Sequence, residues 1–259
     1  MATNDQLDVE TIGSGPDIVL LHSLLSDRSS FLGLAQRLAP ERRVSMVNLP
    51  GFGTSSPAEP LHGYAERIAA YCETLGPAKP DIVGNGLGSF VALTLAAYHG
   101  ASIGRIVLLG CAVAFPEQGR ATFTALAEKV RRGGMEAVAD IAMARMFPED
   151  FIAAHPDVVA ERRAVFLRID PSAFAAAALA LATLDLSSDL GRIRNPVLLV
   201  VGEKDGATPP GLGRDLAARL PDARFVELPG VGHAPHIHAL DLLLQTVGPF
   251  LDLDDQPRS

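Results

Sequence analysis

Three loops of the chain carry residues whose types and spacing fit acid–base or acyl-transfer chemistry. The first spans residues 83–88, where Gly84 and Gly88 flank a turn between an apolar run and a helical pattern. This spacing is typical of a G-x-S-x-G nucleophile elbow, but Gly86 stands at the serine position. Gly86 brings no nucleophile, and glycine adopts a positive φ at little cost. The turn lacks the dinucleotide fingerprint and the P-loop lysine, which disfavours a phosphate cradle.

The other two loops supply a carboxylate and an imidazole. Asp205 lies in residues 202–210, directly after an apolar run, and His233 lies in residues 229–235, after the last such run. A carboxylate can hold a histidine in the required tautomer, and a histidine so held can act as a general base. Taken singly, Asp205 could cap a turn and His233 could be a surface or core residue. The chain order of elbow, Asp and His favours a catalytic set.

The elements that must position these loops alternate between buried strands and helices. Runs that are apolar on both faces suit parallel strands covered by helices on either side. This alternation predicts an α/β fold with a mostly parallel, doubly wound sheet, whose ligands bind at the carboxyl ends of the strands. The predicted strands are residues 17–21, 43–48, 80–84, 105–109, 196–201 and 223–228, and the predicted helices are residues 30–38, 64–75, 89–98, 211–220 and 239–251.

One stretch departs from the alternation, because it contains helical patterns and no convincing strand. We therefore expect a core domain formed by residues 1–114 and 191–259, and a helical cap formed by residues 115–190. Met143 and Phe147 are predicted to contact the substrate from the cap, with packing inside the cap as the alternative. The predicted cap helices are residues 121–132, 135–146, 156–168 and 172–183.

Composition narrows the classes of partner. The chain has 259 residues, of which 48% are hydrophobic, and a net charge of −8. Such a composition is ordinary for a globular protein. The acidic excess argues against binding to nucleic acid or to anionic membranes. The polar N-terminal segment lacks the apolar stretch of a signal peptide, so we expect a cytoplasmic protein. The oligomeric state stays open.

No metal or cofactor site is predicted. Cys72 and Cys111 match no metal-binding spacing and form no disulfide framework. His236 and His238 follow His233 closely, but their spacing and the absence of a nearby carboxylate disfavour a zinc site. We therefore expect a metal-free and cofactor-free protein whose partner is a small molecule.

Across nearly its whole length the sequence resembles the α/β-hydrolase superfamily. The matching segments are His22-Ser23-Leu24, residues 48–55, the elbow at 84–88, residues 202–210 and Gly232-His233. Within the superfamily the chain is most similar to the 3-oxoadipate enol-lactonase group, through residues 167–174, 184–186 and 205–210. The resemblance implies an α/β-hydrolase fold, hydrolysis of an ester or lactone, and a cap that closes over the site and selects the substrate.

The same resemblance assigns roles to the turn after the first strongly apolar strand. In hydrolases of this type a His-Gly-x turn supplies a backbone N–H to the oxyanion hole, and here Ser23 replaces the glycine after His22. The two donors would then be the N–H groups of Leu24 and Leu87, and each such donor can contribute on the order of 3 kcal/mol. His22 and Ser23 are also predicted to contact the substrate.

Three interpretations of Gly86 stay open. In the first, the glycine is natural, and His233, oriented by Asp205, activates a water for attack on a small carboxylated or carbonyl substrate such as an ester or lactone. The same base could instead move a proton on carbon, as in an isomerase, lyase or cyclase. In the second, a serine was replaced deliberately to trap substrate; in the third, the protein is a non-catalytic binder of a small ligand. The other side chains considered as nucleophiles are Ser23, Ser89 and Cys111.

Overall fold

Apolar residues fill the strands of one seven-stranded sheet in the computed structural model, which describes residues 6–253. In chain order the strands are β1 (Val9–Ile12), β2 (Asp17–Leu21), β3 (Arg43–Val47), β4 (Asp81–Asn85), β5 (Ile106–Leu109), β6 (Val197–Gly202) and β7 (Ala223–Leu228). They lie in the order β1-β3-β2-β4-β5-β6-β7. Within this sheet β1 runs antiparallel to β3, and the other neighbouring pairs are parallel. The predicted α/β fold with a mostly parallel sheet is confirmed.

Helices fill the connections between the strands. In chain order they are α1 (Leu32–Leu38), α2 (His62–Thr74), α3 (Leu87–His99), α4 (Glu117–Gly133), α5 (Ala139–Met146), α6 (Glu149–Ala154), α7 (Pro156–Phe166), α8 (Pro171–Ala182), α9 (Pro210–Arg219), α10 (Pro235–His238) and α11 (Leu240–Leu251). Four of them, α7 to α10, begin with a proline. Proline suits a first turn because its fixed φ is helical and the N–H it lacks would have no intrahelical partner there.

The helices pack on both faces of the sheet around two apolar clusters. Leu34 of α1 and Leu243 of α11 belong to the cluster on one face. Ile68 of α2 and Val91 of α3 belong to the cluster on the other face. Strands β2, β4 and β6 are buried at every residue. Burial on both faces explains why their sequences read as continuous apolar runs.

The helices α4 to α8 form an insertion between β5 and β6. An antiparallel bridge between Ala114 and Asp185 joins its entry and exit, and the N–H of Leu186 donates to the carbonyl oxygen of Val113 at 2.9 Å. Helices α4 and α8 pack against each other. Phe123 of α4 continues the apolar cluster on the α3 side of the sheet. The insertion is therefore attached through a short connection and through apolar contacts.

The sequence patterns do not predict β1 and α6. Strand β1 has four residues at the edge of the sheet, and none of them is fully buried. Helix α6 has six residues, none of them buried. Short exposed elements lack the periodic apolar signal on which sequence prediction depends. Helix α6 contacts the loop of Asp205, since Nζ of Lys204 lies 2.8 Å from Oδ2 of Asp150.

The two cysteines are free and buried. Burial raises the pKa of the Cys72 thiol to about 12 and also raises the pKa of Cys111. Among the described residues, no single helix is long and apolar enough to cross a membrane; together α7 and α8, which meet at a bend of 97°, reach the necessary length and composition.

Candidate active site

The turn from β4 to α3 carries Gly86 at φ 51° and ψ −112°. A side chain at this positive φ would be strained, whereas glycine adopts it freely. A Cβ on Gly88 would lie 2.0 Å from the carbonyl oxygen of Leu21, and a Cβ on Gly84 would lie 2.5 Å from the backbone of Gly88. The flanking glycines are therefore required by the close approach of the strand and the helix. The turn has the geometry of an elbow although residue 86 has no side chain.

Asp205 and His233 form a buried pair at the carboxyl ends of β6 and β7. Nδ1 of His233 lies 2.9 Å from Oδ2 of Asp205. Oδ1 of Asp205 accepts from the backbone N–H groups of Ala207 and Thr208, each at 2.8 Å. Burial raises the pKa of Asp205, but the charge of His233 and the hydrogen bonds outweigh burial and leave that pKa lowered. The ionised carboxylate thus holds the imidazole with Nδ1 as the donor.

The other ring nitrogen of His233 faces the elbow. A Cβ built on Gly86 would lie 2.8 Å from Nε2 and 3.3 Å from Cε1 of His233. Within residues 6–253, Nε2 makes no hydrogen bond. In the neutral imidazole with Nδ1 as the donor, Nε2 carries a lone pair. A base therefore faces the point from which a serine side chain would start.

The turn after β2 supplies the predicted oxyanion donors. Leu24 and Leu87 are buried and line the same cavity as Gly86. In the described part of the chain, neither N–H is engaged in a hydrogen bond. Buried backbone N–H groups are rarely unpaired in proteins. The N–H of Gly88 donates to the carbonyl oxygen of His22 at 3.0 Å, which ties this turn to the elbow.

His22 supports this turn from beneath and does not line the cavity. Its Nδ1 donates to the carbonyl oxygen of Ser23 at 2.8 Å, and its Nε2 accepts from the N–H of Leu49 at 3.0 Å. Its ring packs edge-on against Phe52, with centroids 4.9 Å apart. Burial lowers the pKa of His22 to about 4. The backbone engages both ring nitrogens of His22, and the substrate contact of this residue stays a prediction.

A cavity of about 30 Å³ lies between the elbow and the helical insertion. Its polar side chains are those of Ser23, Arg145, Thr208 and His233. Ser23, predicted to contact the substrate, is thus on the lining. The other lining residues are Leu24, Leu25, Gly86, Leu87, Phe90, Phe115, Phe123, Leu126, Leu181 and Ala207. Because a cavity needs roughly 10–15 Å³ per water molecule, a larger ligand enters only when these walls move.

Met143 and Phe147, the two predicted substrate contacts from the cap, are not on the lining. Both are buried. Phe147 stacks on Phe151, with centroids 5.1 Å apart, and Met143 packs in the large apolar cluster. The side chain of α5 that reaches the cavity is Arg145. The substrate contact of these two residues stays a prediction, because the periodicity of a helix identifies an apolar face but not whether that face meets a cavity or a packed core.

Thr208 and Asn85 position the His–Asp pair, and the sequence patterns do not single them out. Oγ1 of Thr208 donates to Oδ2 of Asp205 at 2.8 Å and lies 3.3 Å from Nδ1 of His233. Nδ2 of Asn85 donates to the carbonyl oxygens of His233 at 2.9 Å and of Leu109 at 3.0 Å. Two sequence signals could have indicated these residues: Asn85 directly precedes Gly86 of the elbow, and Thr208 lies three residues after Asp205.

His238 braces the loop of His233 from the other side. Its Nε2 accepts from the N–H of Gly232 at 3.0 Å, and its Nδ1 donates to the carbonyl oxygen of Ala234 at 2.6 Å. Burial lowers the pKa of His238, which favours the neutral ring that this pattern needs. Gly232 and Ala234 flank His233 directly, so His238 fixes the backbone on both sides of His233.

The other candidate nucleophiles, Ser23, Ser89 and Cys111, differ in their distance from the cavity and in their hydrogen bonds. Oγ of Ser89 donates to the carbonyl oxygen of Gly84 at 2.8 Å. Oγ of Ser23 accepts from the N–H of Leu25 at 3.0 Å. Cys111 is not on the cavity lining. None of the three forms a hydrogen bond with His233 in the described structure. Among residues 6–253, no group of three His, Cys, Asp or Glu side chains is placed to hold a metal ion.

Three proteins similar to this chain are an esterase of known substrate class, an enol-lactonase and a thermophilic esterase. The sequence profile of the α/β-hydrolase fold matches residues 16–240. Pimeloyl-[acyl-carrier protein] methyl ester esterase from Chromobacterium violaceum is 32% identical over 238 residues, which cover 89% of this chain and 92% of the esterase. The enol-lactonase from Burkholderia xenovorans LB400 superposes with a TM-score of 0.88 at 30% identity, over 95% of this chain and 96% of that one. A thermophilic esterase from Thermogutta terrifontis, solved with malate bound, superposes with a TM-score of 0.86 at 28% identity. The match covers 95% of this chain and 93% of the esterase.

Proposed function

This chain belongs to the α/β-hydrolase fold family, and on that premise we propose that it hydrolyses a small ester or lactone by direct attack of water, without an acyl-enzyme. One observation carries the proposal: Nδ1 of His233 is held by Asp205 while Nε2 faces the bare backbone of Gly86. The esterases and the enol-lactonase among the similar proteins support an ester or lactone as the substrate.

The proposed reaction starts with a proton transfer. Nε2 of His233 removes a proton from water as the water oxygen attacks the acyl carbon. Asp205 stabilises the imidazolium, and the N–H groups of Leu24 and Leu87 bind the oxygen that becomes negative. The tetrahedral intermediate then collapses and its bond to the leaving oxygen breaks. His233 returns the proton to that oxygen, which gives an acid and an alcohol or enol.

This mechanism favours activated substrates. A covalent acyl-enzyme would split the hydrolysis into two easier steps, and direct attack of water lacks this advantage. An enol lactone or an aryl ester compensates, because its leaving oxygen is weakly basic. In the same proposal, residues 115–190 act as a cap that closes over the bound substrate and excludes bulk water.

The mechanism is tested by comparing the wild type with Gly86→Ser on aryl esters. We expect steady turnover by the wild type, with no acyl adduct in intact-protein mass spectra during the reaction. Gly86→Ser should show an initial burst and an adduct of one acyl group. It should also turn over aryl esters faster, because the base and the oxyanion donors suit a serine. Since its Cβ would lie 2.8 Å from Nε2 of His233 and its φ is positive, we expect Gly86→Ser to be destabilised by about 1–3 kcal/mol.

Other results would favour the other interpretations. An acyl adduct on the wild type would contradict direct water attack, and peptide mapping would then show whether Ser23 carries it. Absence of turnover with every ester and lactone, together with tight binding of a small acid, would indicate a non-catalytic binder. Deuterium incorporation from solvent into a carbonyl substrate without cleavage would indicate a His-base isomerase or lyase.

A further inference from the structure

Ser23 brings a hydroxyl close to the bare backbone of Gly86. A Cβ built on Gly86 would lie 3.2 Å from Cβ of Ser23 and 2.8 Å from Nε2 of His233. Oγ of Ser23 is one bond beyond that Cβ, just as the hydroxyl oxygen of an elbow serine would be one bond beyond its own. Ser23 is buried and lines the cavity together with Gly86 and His233. The fold therefore gathers a hydroxyl-bearing side chain and an imidazole nitrogen around the point where an elbow serine would begin.

The hydroxyl of Ser23 retains hydrogen-bonding capacity. Its oxygen accepts from the N–H of Leu25 at 3.0 Å, and in the described part of the chain it makes no other hydrogen bond. A hydroxyl has one donor and two acceptor positions, so the donor and one acceptor position are left. Thr208 carries the other hydroxyl of the described lining, but its Oγ1 donates to Oδ2 of Asp205 at 2.8 Å. Of these two hydroxyls, that of Ser23 is therefore the one with a free donor.

The separation between Ser23 and His233 fits a bridging molecule better than a direct contact. Both side chains approach the Cβ position of Gly86, yet within residues 6–253 they form no hydrogen bond with each other. A serine acts as a nucleophile when a base is within hydrogen-bond reach of its hydroxyl, and here the base is not. Polar groups that face one gap without touching are commonly joined by a water.

A water over Gly86 can donate to both groups at once. One of its protons goes to Nε2 of His233 and the other to the open acceptor position on Oγ of Ser23. Neither group then donates to the water oxygen, so a lone pair stays available for the acyl carbon. The cavity measures about 30 Å³, and one water needs roughly 10–15 Å³. We propose that Ser23 is the positioning residue for the attacking water, an inference that rests on the proposed hydrolysis because it concerns the same water.

Ser23 gains and loses no proton in this step. As the water oxygen bonds to the acyl carbon, the proton shared with His233 moves to Nε2, and the carbonyl electron pair moves to the oxygen bound by the N–H groups of Leu24 and Leu87. The second proton stays on the attacking oxygen and becomes the hydroxyl proton of the acid. His233 later gives its proton to the leaving oxygen. Ser23 thus contributes orientation, because it fixes the water before the transition state is reached.

The experiment compares attack by water with attack by an elbow serine in matched variants. Ser23→Ala removes the hydroxyl and keeps Cβ. Ser26→Ala is the matched control, since Ser26 is buried in the same turn but is not on the cavity lining. Each variant is made in the wild type, where water attacks, and in Gly86→Ser, where the new serine attacks. Steady-state turnover and the initial burst with p-nitrophenyl acetate are followed by the absorbance of nitrophenolate.

In the wild-type background, Ser23→Ala should lower kcat by roughly 10- to 100-fold, as expected for a misplaced reactant, and change KM by about twofold or less. Ser26→Ala should behave as the wild type. In Gly86→Ser, Ser23→Ala should leave the burst rate within about threefold, because the elbow serine supplies its own oxygen. Equal losses in kcat and burst rate would assign Ser23 to the support of the oxyanion donors, and an unchanged kcat would remove it from the reaction; either result overturns the inference.

Crystallography separates this inference from the proposed hydrolysis. We expect crystals of the wild type to show an ordered water within hydrogen-bond distance of Oγ of Ser23 and Nε2 of His233, and crystals of Ser23→Ala to lack it. If that water is present but no ester or lactone is hydrolysed, the proposed hydrolysis fails while the water site stands. If hydrolysis proceeds without an adduct, and neither the water nor kcat depends on the Ser23 hydroxyl, the water site fails while the hydrolysis stands. An acyl adduct on Ser23 of the wild type would overturn both.

Discussion

The loops after β2 and β7 each present a buried histidine at the same edge of the sheet, and they differ in what engages its second ring nitrogen. His22 donates through Nδ1 to a backbone carbonyl and accepts through Nε2 from a backbone N–H. His233 donates through Nδ1 to the carboxylate of Asp205, and its Nε2 makes no hydrogen bond in the described structure. Both ring nitrogens of His22 are therefore hydrogen-bonded to the backbone, whereas Nε2 of His233 has no hydrogen-bond partner among the described residues.

The nature of the Nδ1 partner adds a second difference. A carbonyl oxygen orients His22 but carries no full charge, and burial lowers its pKa to about 4, so the ring stays neutral. A carboxylate can stabilise an imidazolium during a reaction. Burial alone thus does not separate a structural histidine from a general base; the partner of each nitrogen does.

The largest expected effect separates the two rings by activity. His233→Gln should lower kcat/KM for an aryl ester by roughly 10³-fold, in the range known for loss of a general base. The free energy of unfolding should change by about 1 kcal/mol or less, because catalytic sites are seldom optimised for stability. His62→Gln, at an exposed histidine, is the control. Comparable losses of activity in His233→Gln and His22→Gln would break the distinction between the rings.

The pH dependence of stability should follow from the lowered pKa of His22. Between pH 6.5 and about 4 the unfolded chain binds a proton that the native His22 does not, so stability is complete above pH 6.5 and falls as pH falls toward 4. The difference corresponds to about 3 kcal/mol. Urea unfolding of the wild type and His22→Gln across this range should give a shallower slope for the variant. His236 and His238, whose pKa values burial also lowers, contribute to both proteins and cancel; equal slopes would contradict the prediction.

At pH 8 the same substitution tests the structural role of His22 directly. His22→Gln should reduce the free energy of unfolding by about 2 kcal/mol, because it disturbs two buried hydrogen bonds and risks leaving the N–H of Leu49 unpaired. Chemical denaturation measures the change. The effect on kcat/KM should stay well below that of His233→Gln. An unchanged unfolding free energy would mean that the turn after β2 does not depend on this ring.

A smaller effect is expected at Thr208, whose hydroxyl contacts both members of the pair. Thr208→Val should lower kcat/KM by about 10-fold, because Oδ2 of Asp205 loses one of its donors and the imidazole loses part of its alignment. Thr124→Val, on the exposed face of α4, is the matched control. A drop in stability without any change in kcat/KM would assign Thr208 to the loop rather than to His233.

The sequence predicted the sheet and the carboxylate–histidine loops because both leave strong local signals. Residues buried on both faces give continuous apolar runs, and the close approach at the elbow requires glycines at 84 and 88. Asp205 and His233 follow directly from their places after β6 and β7. The sequence could not show that Nε2 of His233 comes so close to Gly86, since that distance depends on the packing of several loops.

Sequence patterns were least able to predict which residues of the insertion line the cavity. The buried residues of α5, which are Ala139, Ala142, Met143 and Met146, lie on one face of the helix, and this periodicity does not tell whether a buried face meets a cavity or other helices. The sequence pattern singled out Met143, whereas the residue of α5 on the cavity lining is Arg145. His22 shows the same limit in another form, because its sequence position suggested substrate contact and only its two backbone hydrogen bonds show its role.

The bare backbone at position 86 also determines which inhibitors this fold can accept. Fluorophosphonates and sulfonyl fluorides inactivate serine hydrolases by forming a bond to the nucleophilic hydroxyl, and at the elbow this chain offers them no such atom. Activity profiling with those reagents would pass over the protein even when it turns over substrate. Ligands that already carry a tetrahedral anion, such as stable phosphonates, need no bond to the enzyme, and on the proposed mechanism they would bind the N–H groups of Leu24 and Leu87 directly. Reversible anionic mimics are thus the appropriate chemical tools for this site.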